Sequence, residues 1–314
     1  MGEKDHSDKQ LGGDAGLSFV PLAEIQRVRG SVTDRFARAE VLADLCRLNT
    51  LYAIMNAGSG HIGSSFSSAD LITWLWTEEL RDTNSGTPGA DVYFSSKGHD
   101  VPALYATLAE LGFMPPSRLA NHLDPDDVLY WHPNRELPGV EFHAGSLGHL
   151  LSVGAGIATD ARMRGGPSRV FVVLGDGECD EGSVWEAALV AGAHELDNLV
   201  AVIDRNGYQA NLATEELIPL EPIAPKWESF GWRAIRVNGH DFDQLDRAFA
   251  ELPLTRGKPT AIIADTVRNK GLPSLEGKPE RWFVKLTPAE VEQLIAELHG
   301  AAATELTSSP LVVR

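Results

Sequence analysis

The chain has 314 residues with a formal net charge of −17 at pH 7, and 43% of its residues are hydrophobic. This ordinary globular composition is sufficient for one large domain with a sizeable core. The negative charge argues against nucleic acid or an anionic membrane as a partner. No apolar run approaches the length of a bilayer span, and no signal peptide precedes the first helix. Because Cys46 and Cys179 are the only cysteines, we expect no disulfide framework and a cytoplasmic protein.

The predicted elements alternate between helices and short apolar strands. Residues 1–18 are polar and predict a disordered tail, and residues 19–314 are expected to form one domain. Helices are predicted at 33–56, at 69–80 after Ser68, at 101–111, 147–164 and 242–252, in the alanine-rich stretch after Gly182, and from Thr287-Pro288 onward. Strands are predicted at 91–95, 170–174, 199–203, 232–237 and 260–266. This alternation is typical of a three-layer α/β/α sandwich with a mostly parallel sheet.

Polar side chains follow two consecutive predicted strands of this sheet. Asp176 stands in a Gly-Asp-Gly segment after one strand, and Asn206 follows the next strand. The carboxyl ends of parallel strands open onto the same edge of the sheet, and doubly wound folds bind ligands at that edge. One carboxylate and one amide oxygen, completed by diphosphate oxygens and water, suit Mg²⁺. Gly175 and Gly177 let the backbone approach a phosphate because they have no Cβ.

The pattern of GDG, about 30 residues and then Asn206 resembles the signature of thiamine diphosphate enzymes, and its continuation resembles transketolase. Other segments match that family in order, and the matching part runs from Ala57 to Gly271. The segments are AGSGHIG (57–63), SKGH (96–99), HPNRELPGVEFHAGSLG (132–148), the GDG unit (175–206) and ESFGWRAIRVNGHD (228–241). The chain is similar to the N-terminal, diphosphate-binding subunit of a split transketolase.

The resemblance implies a role for each matched residue. The implied Mg²⁺ ligands are Asp176, Asn206 and the backbone carbonyl of Tyr208. The implied cofactor-binding residues are His61, His99, Gly145, Ser146, Leu147, Gly175, Asp176, Gly177, Glu178 and Asn206. The implied catalytic residues are His61, His132, Glu181 and Glu186.

These roles differ in kind. By resemblance, His61 contacts the cofactor and the substrate carbonyl, His99 donates to the diphosphate, and His132 binds the hydroxyl next to the donor carbonyl. The resemblance also implies that the GSLG turn holds the aminopyrimidine ring, and its serine also suits a helix cap. Glu181 and Glu186 would link two active sites across a dimer interface, with a solvated acidic face as the alternative.

The resemblance also implies what the enzyme does and what it needs. A ketol or acyl unit would pass from a ketone donor to an aldehyde or ketone acceptor, with thiamine diphosphate as the electron sink. The family's glutamate that protonates the aminopyrimidine lies in a pyrimidine-binding domain. We expect that domain on a separate polypeptide, in an α2β2 assembly. The α subunit of a 2-oxo acid dehydrogenase and a non-catalytic subunit with the same fold remain alternatives.

Two residues depart from the family pattern. Phe283 stands where split transketolases usually carry a histidine that reaches the diphosphate and the substrate, and Ile62 replaces the usual proline. Phenylalanine cannot donate a hydrogen bond or carry a proton. We therefore expect Phe283 to line the donor side of the pocket and to favour a less polar or differently charged substrate.

Overall fold

The computed structural model describes residues 18–82 and 89–301. Apart from Ser18, the predicted N-terminal tail lies outside the described residues. Two compact units divide the chain. The helical unit comprises residues 18–73, 99–131 and 269–301, and the sheet unit comprises residues 74–82, 89–98 and 132–268.

Helices and strands alternate through much of the chain. The α-helices are α1 (Leu22–Ser31), α2 (Arg35–Ala57), α3 (Ile62–Trp74), α4 (Val101–Glu110), α5 (Leu150–Met163), α6 (Gly182–Ala193), α7 (Thr214–Leu217), α8 (Ile223–Ser229), α9 (Phe242–Ala250) and α10 (Pro288–Ala301). The strands are β1 (Ser59–Gly60), β2 (Val92–Ser95), β3 (Val170–Gly175), β4 (Leu199–Arg205), β5 (Tyr208–Gln209), β6 (Leu212–Ala213), β7 (Arg233–Asn238), β8 (Thr260–Asp265) and β9 (Val284–Lys285). Among the described residues, no helix combines the length and apolarity that crossing a bilayer would require.

A five-stranded parallel sheet forms the centre of the sheet unit, with the strand order β2-β3-β4-β8-β7. Every residue of β3 and β4 is buried, as expected for strands covered on both faces. Val172 belongs to the cluster that packs with α5, α6 and α8 on one face. On the other face, Phe171 contacts Phe249 of α9, with ring centroids 6.2 Å apart. The predicted α/β/α sandwich is therefore confirmed.

The helical unit has a separate apolar core. It forms because α2 presents Leu42, Leu45 and Leu48 to Phe66 of α3 and Leu294 of α10, all of which are buried. At one end of this unit, β1 pairs antiparallel with β9 in a two-stranded ribbon. This ribbon joins the loop before α3 to the segment just before α10.

The helix predicted from residue 69 in fact begins at Ile62, so the prediction that Ser68 opens it is wrong. The reason lies in serine hydroxyls that hydrogen-bond inside the helix. The Ser65 hydroxyl donates to the His61 carbonyl at 2.6 Å, and the Ser68 hydroxyl donates to the Ser64 carbonyl at 2.8 Å. Serines with this back-bonding are compatible with a helix interior. The first helix, α1, has no counterpart among the predicted elements.

Two other helix starts test the capping arguments. The helix predicted from residue 147 begins at Leu150, and its preceding residue, His149, makes no side-chain cap, so the Ser146 cap is wrong. The last helix begins at Pro288, as predicted. The Thr287 hydroxyl accepts from the Glu290 amide at 3.3 Å, and the Glu290 carboxylate accepts from the Thr287 amide at 2.9 Å. This reciprocal pair is a capping box.

Gly192 of α6 allows a close approach between α6 and the chain after α8. A Cβ at this position would lie 1.9 Å from the carbonyl oxygen of Phe230. We expect Gly192→Ala to lower the free energy of unfolding by about 2 kcal/mol, although alanine is the better helix former. A Cβ at Gly156 of α5 would meet no atom within 4 Å, so Gly156→Ala should raise stability by up to about 1 kcal/mol. Urea unfolding measures both, and equal stability of the two variants would contradict the packing argument.

Candidate functional site

The Asp176 carboxylate lies at the end of β3, where it is 1% exposed. Its Oδ2 accepts hydrogen bonds from the Gly207 amide at 2.7 Å, the Arg205 guanidinium at 2.8 Å and the Thr214 hydroxyl at 3.3 Å. Its Oδ1 accepts from the Gly177 amide at 3.0 Å. The carboxylate is therefore held rigidly, with most of its partners on one oxygen.

The register of the sheet brings Asp176 to the same edge as the end of β4. Gly175 is the Cα partner of Asp204, so the residues that follow the two strands emerge together. Burial raises the pKa of Asp176 to about 6, the nearby Asp204 charge adds to the rise, and Arg205 opposes it. A bound divalent cation would favour the ionised carboxylate still further.

The Asn206 side chain is oriented by two hydrogen bonds. Its Nδ2 donates to Asp204 Oδ2 at 3.1 Å, and its Oδ1 accepts from the Tyr208 amide at 3.1 Å. Asp204 itself is fully buried, paired with Lys97 at 2.6 Å, and it accepts from the Thr266 hydroxyl. A buried ion pair thus determines which atom of the Asn206 amide is the acceptor.

The oxygen atoms of these side chains fit the magnesium site that the sequence predicts. Across the described residues, no group of three or more His, Cys, Asp or Glu side chains could hold a metal ion. The predicted set is of another kind, because it combines one carboxylate with the neutral oxygens of Asn206 and Tyr208. Mg²⁺ is commonly bound through one or two carboxylates plus substrate phosphates. Because Oδ1 of Asp176 has one hydrogen-bond partner among the described residues, it retains an acceptor position for a metal.

Arg268 is a residue of this edge that the sequence analysis missed. Its side chain is largely buried, its guanidinium carbon lies 5.3 Å from the centre of the Tyr208 ring, and its Nη1 has no hydrogen-bond partner among the described residues. Burial lowers its pKa to about 10, against the opposing charge of Asp176, so it remains protonated. The sequence did contain a signal for Arg268, because a basic residue shortly after the predicted strand β8 is expected at the same edge of the sheet as Asp176. A buried cation with a vacant donor suits an anionic ligand.

Glu178 connects three of the matched segments inside the sheet unit. It is 2% exposed, and its carboxylate accepts from the Ser96 hydroxyl at 2.5 Å, the Gly148 amide at 2.8 Å and the Gly175 amide at 3.1 Å. Burial raises its pKa to about 7, and these hydrogen bonds oppose the rise. The side chain implied to bind the cofactor is thus already engaged within the protein. It holds the SKGH and GSLG segments against the end of β3.

The GSLG turn is built on left-handed backbone that requires glycine. Gly145 and Gly148 have φ values of 134° and 82°, and a Cβ at Gly148 would lie 2.5 Å from the Ser183 hydroxyl. Gly145 and Ser146 are exposed, and Leu147 is half-buried. The turn therefore presents backbone and one apolar side chain at the surface of the sheet unit.

Close packing gives a second reason, besides access for a phosphate, for a glycine at position 177. A Cβ at Gly177 would lie 2.4 Å from the Cβ of Gln209, whereas a Cβ at Gly175 would make only ordinary contacts with Lys97. The expectation that both glycines serve a phosphate remains a prediction. For Gly177, the structure gives an independent reason.

His132 lies against the glycines of two matched segments. A Cβ at Gly98 would lie 3.0 Å from the His132 ring, and a Cβ at Gly145 would lie 3.4 Å from it. Glu181 and Glu186, by contrast, are exposed residues at the start of α6 and on its surface. Within the sheet unit, His132 is thus adjacent to the GSLG turn.

In the helical unit, His61 lies in a cluster of partly exposed rings, which we call the aromatic cluster. The ring centroids of Trp282 and Phe283 are each 5.1 Å from that of His61, His99 is at 5.7 Å and Trp131 at 6.1 Å. The pairing of β1 with β9 produces this meeting, because it aligns the residues before His61 with those after Phe283. The two histidines implied to act on cofactor and substrate are therefore neighbours. Phe283 lies beside His61.

A buried histidine, His122, belongs to the same unit. It is 3% exposed, its ring contacts Tyr105 edge to face, and its Nδ1 has no hydrogen-bond partner among the described residues. Burial lowers its pKa to about 4, a hydrogen bond with the Leu129 backbone opposes this, and the charge of His61 lowers it further. His122 is therefore neutral at physiological pH.

Comparison with known proteins agrees with this geometry. Residues 38–305 match the sequence model of the transketolase thiamine diphosphate-binding domain. The 6-deoxy-6-sulfo-D-fructose transketolase subunit SqwG of a Clostridium species is 36% identical over 264 residues, which is 83% of this chain and 96% of that protein. An apulose-4-phosphate transketolase subunit from Phocaeicola vulgatus is 34% identical over 82% of this chain and 93% of that protein.

A solved structure shows the same fold. The transketolase from Leishmania mexicana superposes with a TM-score of 0.75 at 28% identity, over 83% of this chain. This chain spans only 41% of that protein's length.

The parallel sheet and the matched domain define a thiamine diphosphate-binding protein. The matched domain and the similar subunits identify the family: the chain belongs to the transketolases. It is a transketolase-like enzyme subunit that uses thiamine diphosphate, for which Mg²⁺ is the usual partner metal in this family.

The neutral state of His122 makes stability depend on pH. Because its pKa is about 4 in the folded state and about 6.5 in the unfolded chain, the unfolded chain binds more protons between these values. The contribution of His122 to the free energy of unfolding should therefore fall as the pH falls below about 6.5, by about 2 kcal/mol at about pH 5, whereas the raised pKa values of Asp176 and Glu178 act in the opposite direction. Urea unfolding at about pH 7.5 and about pH 5 measures the change. From about pH 7.5 to about pH 5, the stability of His122→Phe relative to the wild type should rise by about 2 kcal/mol, whereas the exposed control His143→Phe should change in parallel with the wild type.

Proposed function

We propose that this chain is the diphosphate-binding subunit of a split transketolase that transfers a ketol or acyl unit from a ketone donor to an aldehyde or ketone acceptor. The observation that carries the proposal is the edge of the sheet at which Asp176, Asn206 and Arg268 come together around oriented oxygen donors. Similarity to two named transketolase subunits over nearly their whole length supports it.

In this proposal, Mg²⁺ binds to Asp176 Oδ1, to the Asn206 amide oxygen and to the backbone carbonyl of Tyr208. Arg268 and His99 donate hydrogen bonds to the diphosphate, since Arg268 has a buried donor without a partner among the described residues. When bound, thiamine diphosphate supplies the electron sink for breaking a carbon-carbon bond. The protein's part is to hold the diphosphate end and to keep the donor oxygens in place.

The aminopyrimidine end is assigned to the GSLG turn. Gly145, Ser146 and Leu147 would contact that ring through backbone and one apolar side chain. Gly175 and Gly177 would leave room for the diphosphate. Glu178 would contribute indirectly, because its hydrogen bonds with Gly148 and Gly175 hold both loops.

The imidazoles are assigned to proton handling at the substrate. His61 would hold or deliver a proton at the carbonyl oxygen, and the surrounding rings would exclude water from it. His132 would bind the hydroxyl beside that carbonyl. This division is consistent with the half-exposed position of both side chains.

We assign substrate selection to the aromatic cluster. Phe283 and Trp282 are equally near to His61, and neither ring can accept a proton from it. A donor with fewer polar groups, or with different charge, would fit beside them better than an ordinary sugar phosphate. The relatives named for 6-deoxy-6-sulfo-D-fructose and apulose 4-phosphate support diversity of donors among such subunits.

We also propose a cytoplasmic α2β2 assembly with a second subunit that carries the pyrimidine-binding domain. Two relatives that are matched over 96% and 93% of their own length are named as transketolase subunits, and these names imply a partner subunit. Glu181 and Glu186 are exposed near the start of α6 and would link two copies of the site. Their carboxylates are accessible to such a partner.

Removal of the Asp176 carboxylate tests the metal site. Asp176→Ala should abolish thiamine diphosphate binding in the presence of Mg²⁺, because an octahedral ion tolerates little loss of its protein ligands. Calorimetry with the assembled enzyme measures the affinity. Asp160→Ala, which removes an exposed carboxylate of α5 that pairs with Arg164, is the control and should bind normally. Unchanged affinity in Asp176→Ala would contradict the assignment.

Restoring a histidine at position 283 tests substrate selection. Wild-type enzyme should turn over xylulose 5-phosphate slowly relative to 2-oxo acids, and Phe283→His should improve the sugar phosphate by about tenfold, since a polar partner regained in a desolvated pocket strongly favours a polar substrate. Phe283→Leu removes the ring without adding a donor and should show no such gain. Rapid turnover of xylulose 5-phosphate by the wild type would refute this role of Phe283.

The need for a second subunit is tested by reconstitution. The isolated chain should transfer no two-carbon unit, because the aminopyrimidine glutamate of the family lies in the other domain. Activity should appear on titration with a pyrimidine-domain subunit and saturate at equimolar ratio. Full turnover by this chain alone would be incompatible with the proposal.

A further inference from the structure

Trp131 stands at the end of a loop of the helical unit, residues 122–131. Its ring centroid lies 6.1 Å from that of His61 and 5.6 Å from that of Phe283, and its plane is inclined by 33° to the Phe283 ring. The indole is half-buried, whereas the preceding residue, Tyr130, is 59% exposed. Two adjacent aromatic residues therefore differ in exposure, and the placement of the indole depends on how the backbone of this loop is held.

Two buried side chains, Tyr105 and His122, hold the backbone just before Trp131, and we call them the buried polar pair. Tyr105 of α4 has no exposed surface, and its hydroxyl accepts from the Tyr130 amide at 3.2 Å. His122 is 3% exposed, and its ring makes a hydrogen bond with the backbone of Leu129. The two rings of the pair contact each other edge to face, with centroids 5.9 Å apart. The last two residues before the indole are thus each tied to a rigid interior.

Other bonds determine the local shape of the loop. Arg118 makes a two-pronged pair with Asp127, at 2.9 Å and 3.1 Å. The Tyr130 amide also donates to the Val128 carbonyl at 2.9 Å, inside the loop. Loss of the Tyr105 hydroxyl would therefore not leave this amide without a partner, and the large cost of an unpaired buried donor does not arise. The loop would stay folded, but its end would no longer be tied to α4.

We propose that Trp131 is a specificity-determining residue, positioned by Tyr105 and His122, and that it favours a donor whose leaving part is a carboxylate over one whose leaving part is a hydroxylated phosphate chain; this inference rests on the proposed function. The faces of the indole and of Phe283 offer hydroxyl groups no hydrogen bond comparable to those of water. Hydroxyl groups that lose water against these rings stay unpaired, which disfavours their binding. A small carboxylate that leaves as carbon dioxide needs much less of this surface.

Hydroxypyruvate and xylulose 5-phosphate form a matched pair of probes, because both would pass on the same two-carbon ketol unit. In each, the bond between the carbonyl carbon and its other carbon substituent breaks, and the bonding electron pair stays with the ketol unit. That unit then forms a bond to the carbonyl carbon of the acceptor, whose oxygen takes a proton. Carbon dioxide leaves from the first donor, with the proton supplied by water. Glyceraldehyde 3-phosphate leaves from the second, and its former hydroxyl supplies the proton.

The first measurement is the ratio of kcat/KM for hydroxypyruvate to kcat/KM for xylulose 5-phosphate, in the enzyme assembled with a pyrimidine-domain subunit. The ratio should exceed about ten in the wild type, fall by about tenfold in Trp131→Ala and fall by at least about threefold in Tyr105→Phe, which keeps the ring contact with His122. The double variant should match Trp131→Ala, because the two residues act as one. Tyr93→Phe removes the hydroxyl of a buried tyrosine that packs on Trp76 in the sheet unit. This control should keep the wild-type ratio.

The second measurement reads the position of the indole without catalysis, by fluorine NMR of the full chain labelled with 5-fluorotryptophan. The chain has seven tryptophans, and the resonance that disappears in Trp131→Phe is that of Trp131. Tyr105→Phe should shift or broaden this resonance, because the released indole samples more than one environment. Tyr93→Phe should leave it unchanged.

The two measurements separate the possible failures. An unchanged Trp131 resonance in Tyr105→Phe, with folding verified by circular dichroism, overturns the positioning role. A wild type that uses xylulose 5-phosphate as well as hydroxypyruvate, or an unchanged ratio in Trp131→Ala, overturns the selectivity. A shifted resonance with the wild-type ratio in Tyr105→Phe also overturns the inference, since the position of the indole would then not matter.

Two further outcomes remain. If Tyr105→Phe does not fold, His122→Phe is measured instead, because it removes the other bond to the loop and should lower the ratio by at least about twofold; an unchanged ratio refutes the idea. An assembled enzyme that transfers no ketol unit from either donor rejects the proposed function and the selectivity with it. The Trp131 resonance then still decides whether Tyr105 positions the indole.

Discussion

The parallel register between β3 and β4 is the constraint on which the sheet unit depends. It places Gly175 opposite Asp204, so that Asp176 and Asn206, distant in sequence, leave the sheet at one edge. The same alignment continues to β8, where Arg205 lies opposite Asp265 and the chain runs on to Arg268. Because β3 and β4 pack against different helices on their two faces, a one-residue slip would exchange the two sets of side chains between these faces and disrupt the packing of both. The functional edge is thus held by the hydrophobic core beneath it.

Buried charge at this edge is stable only because it is paired. Lys97 and Asp204 have no exposed surface and lie 2.6 Å apart, and Asp176 is paired with Arg205. Without its partner, burying either carboxylate would cost several kcal/mol of lost hydration free energy. The paired groups also orient neighbouring side chains. Asp204 accepts a hydrogen bond from the Asn206 amide, and Arg205 donates to one oxygen of Asp176. The metal and the diphosphate proposed for this edge would therefore require little rearrangement of these side chains.

The helical unit differs from the sheet unit because its imidazoles lie among apolar rings and are partly exposed. The β1–β9 ribbon brings the loop with His61 to Trp282 and Phe283, and Trp131 closes the cluster, with its centroid 5.6 Å from that of Phe283. Because the indole and phenyl rings of the cluster cannot exchange protons, proton handling is proposed for His61, and diphosphate binding is proposed for His99. Chemistry and selectivity in this unit are therefore assigned to adjacent side chains.

The sequence by itself determined the fold class, the family and the strand-end positions of Asp176 and Asn206, because apolar strands and Gly-Asp-Gly turns are local patterns whose meaning does not depend on distant residues. It also located the cap at Thr287. It misread the start of α3, since serines that hydrogen-bond within a helix look like helix starts. Only the tertiary structure revealed the burial and the hydrogen-bond or charge partners of Arg205, Arg268, His122 and Glu178. Burial and partners of a charged side chain arise from segments far apart in the chain, and no local pattern records which of them will meet.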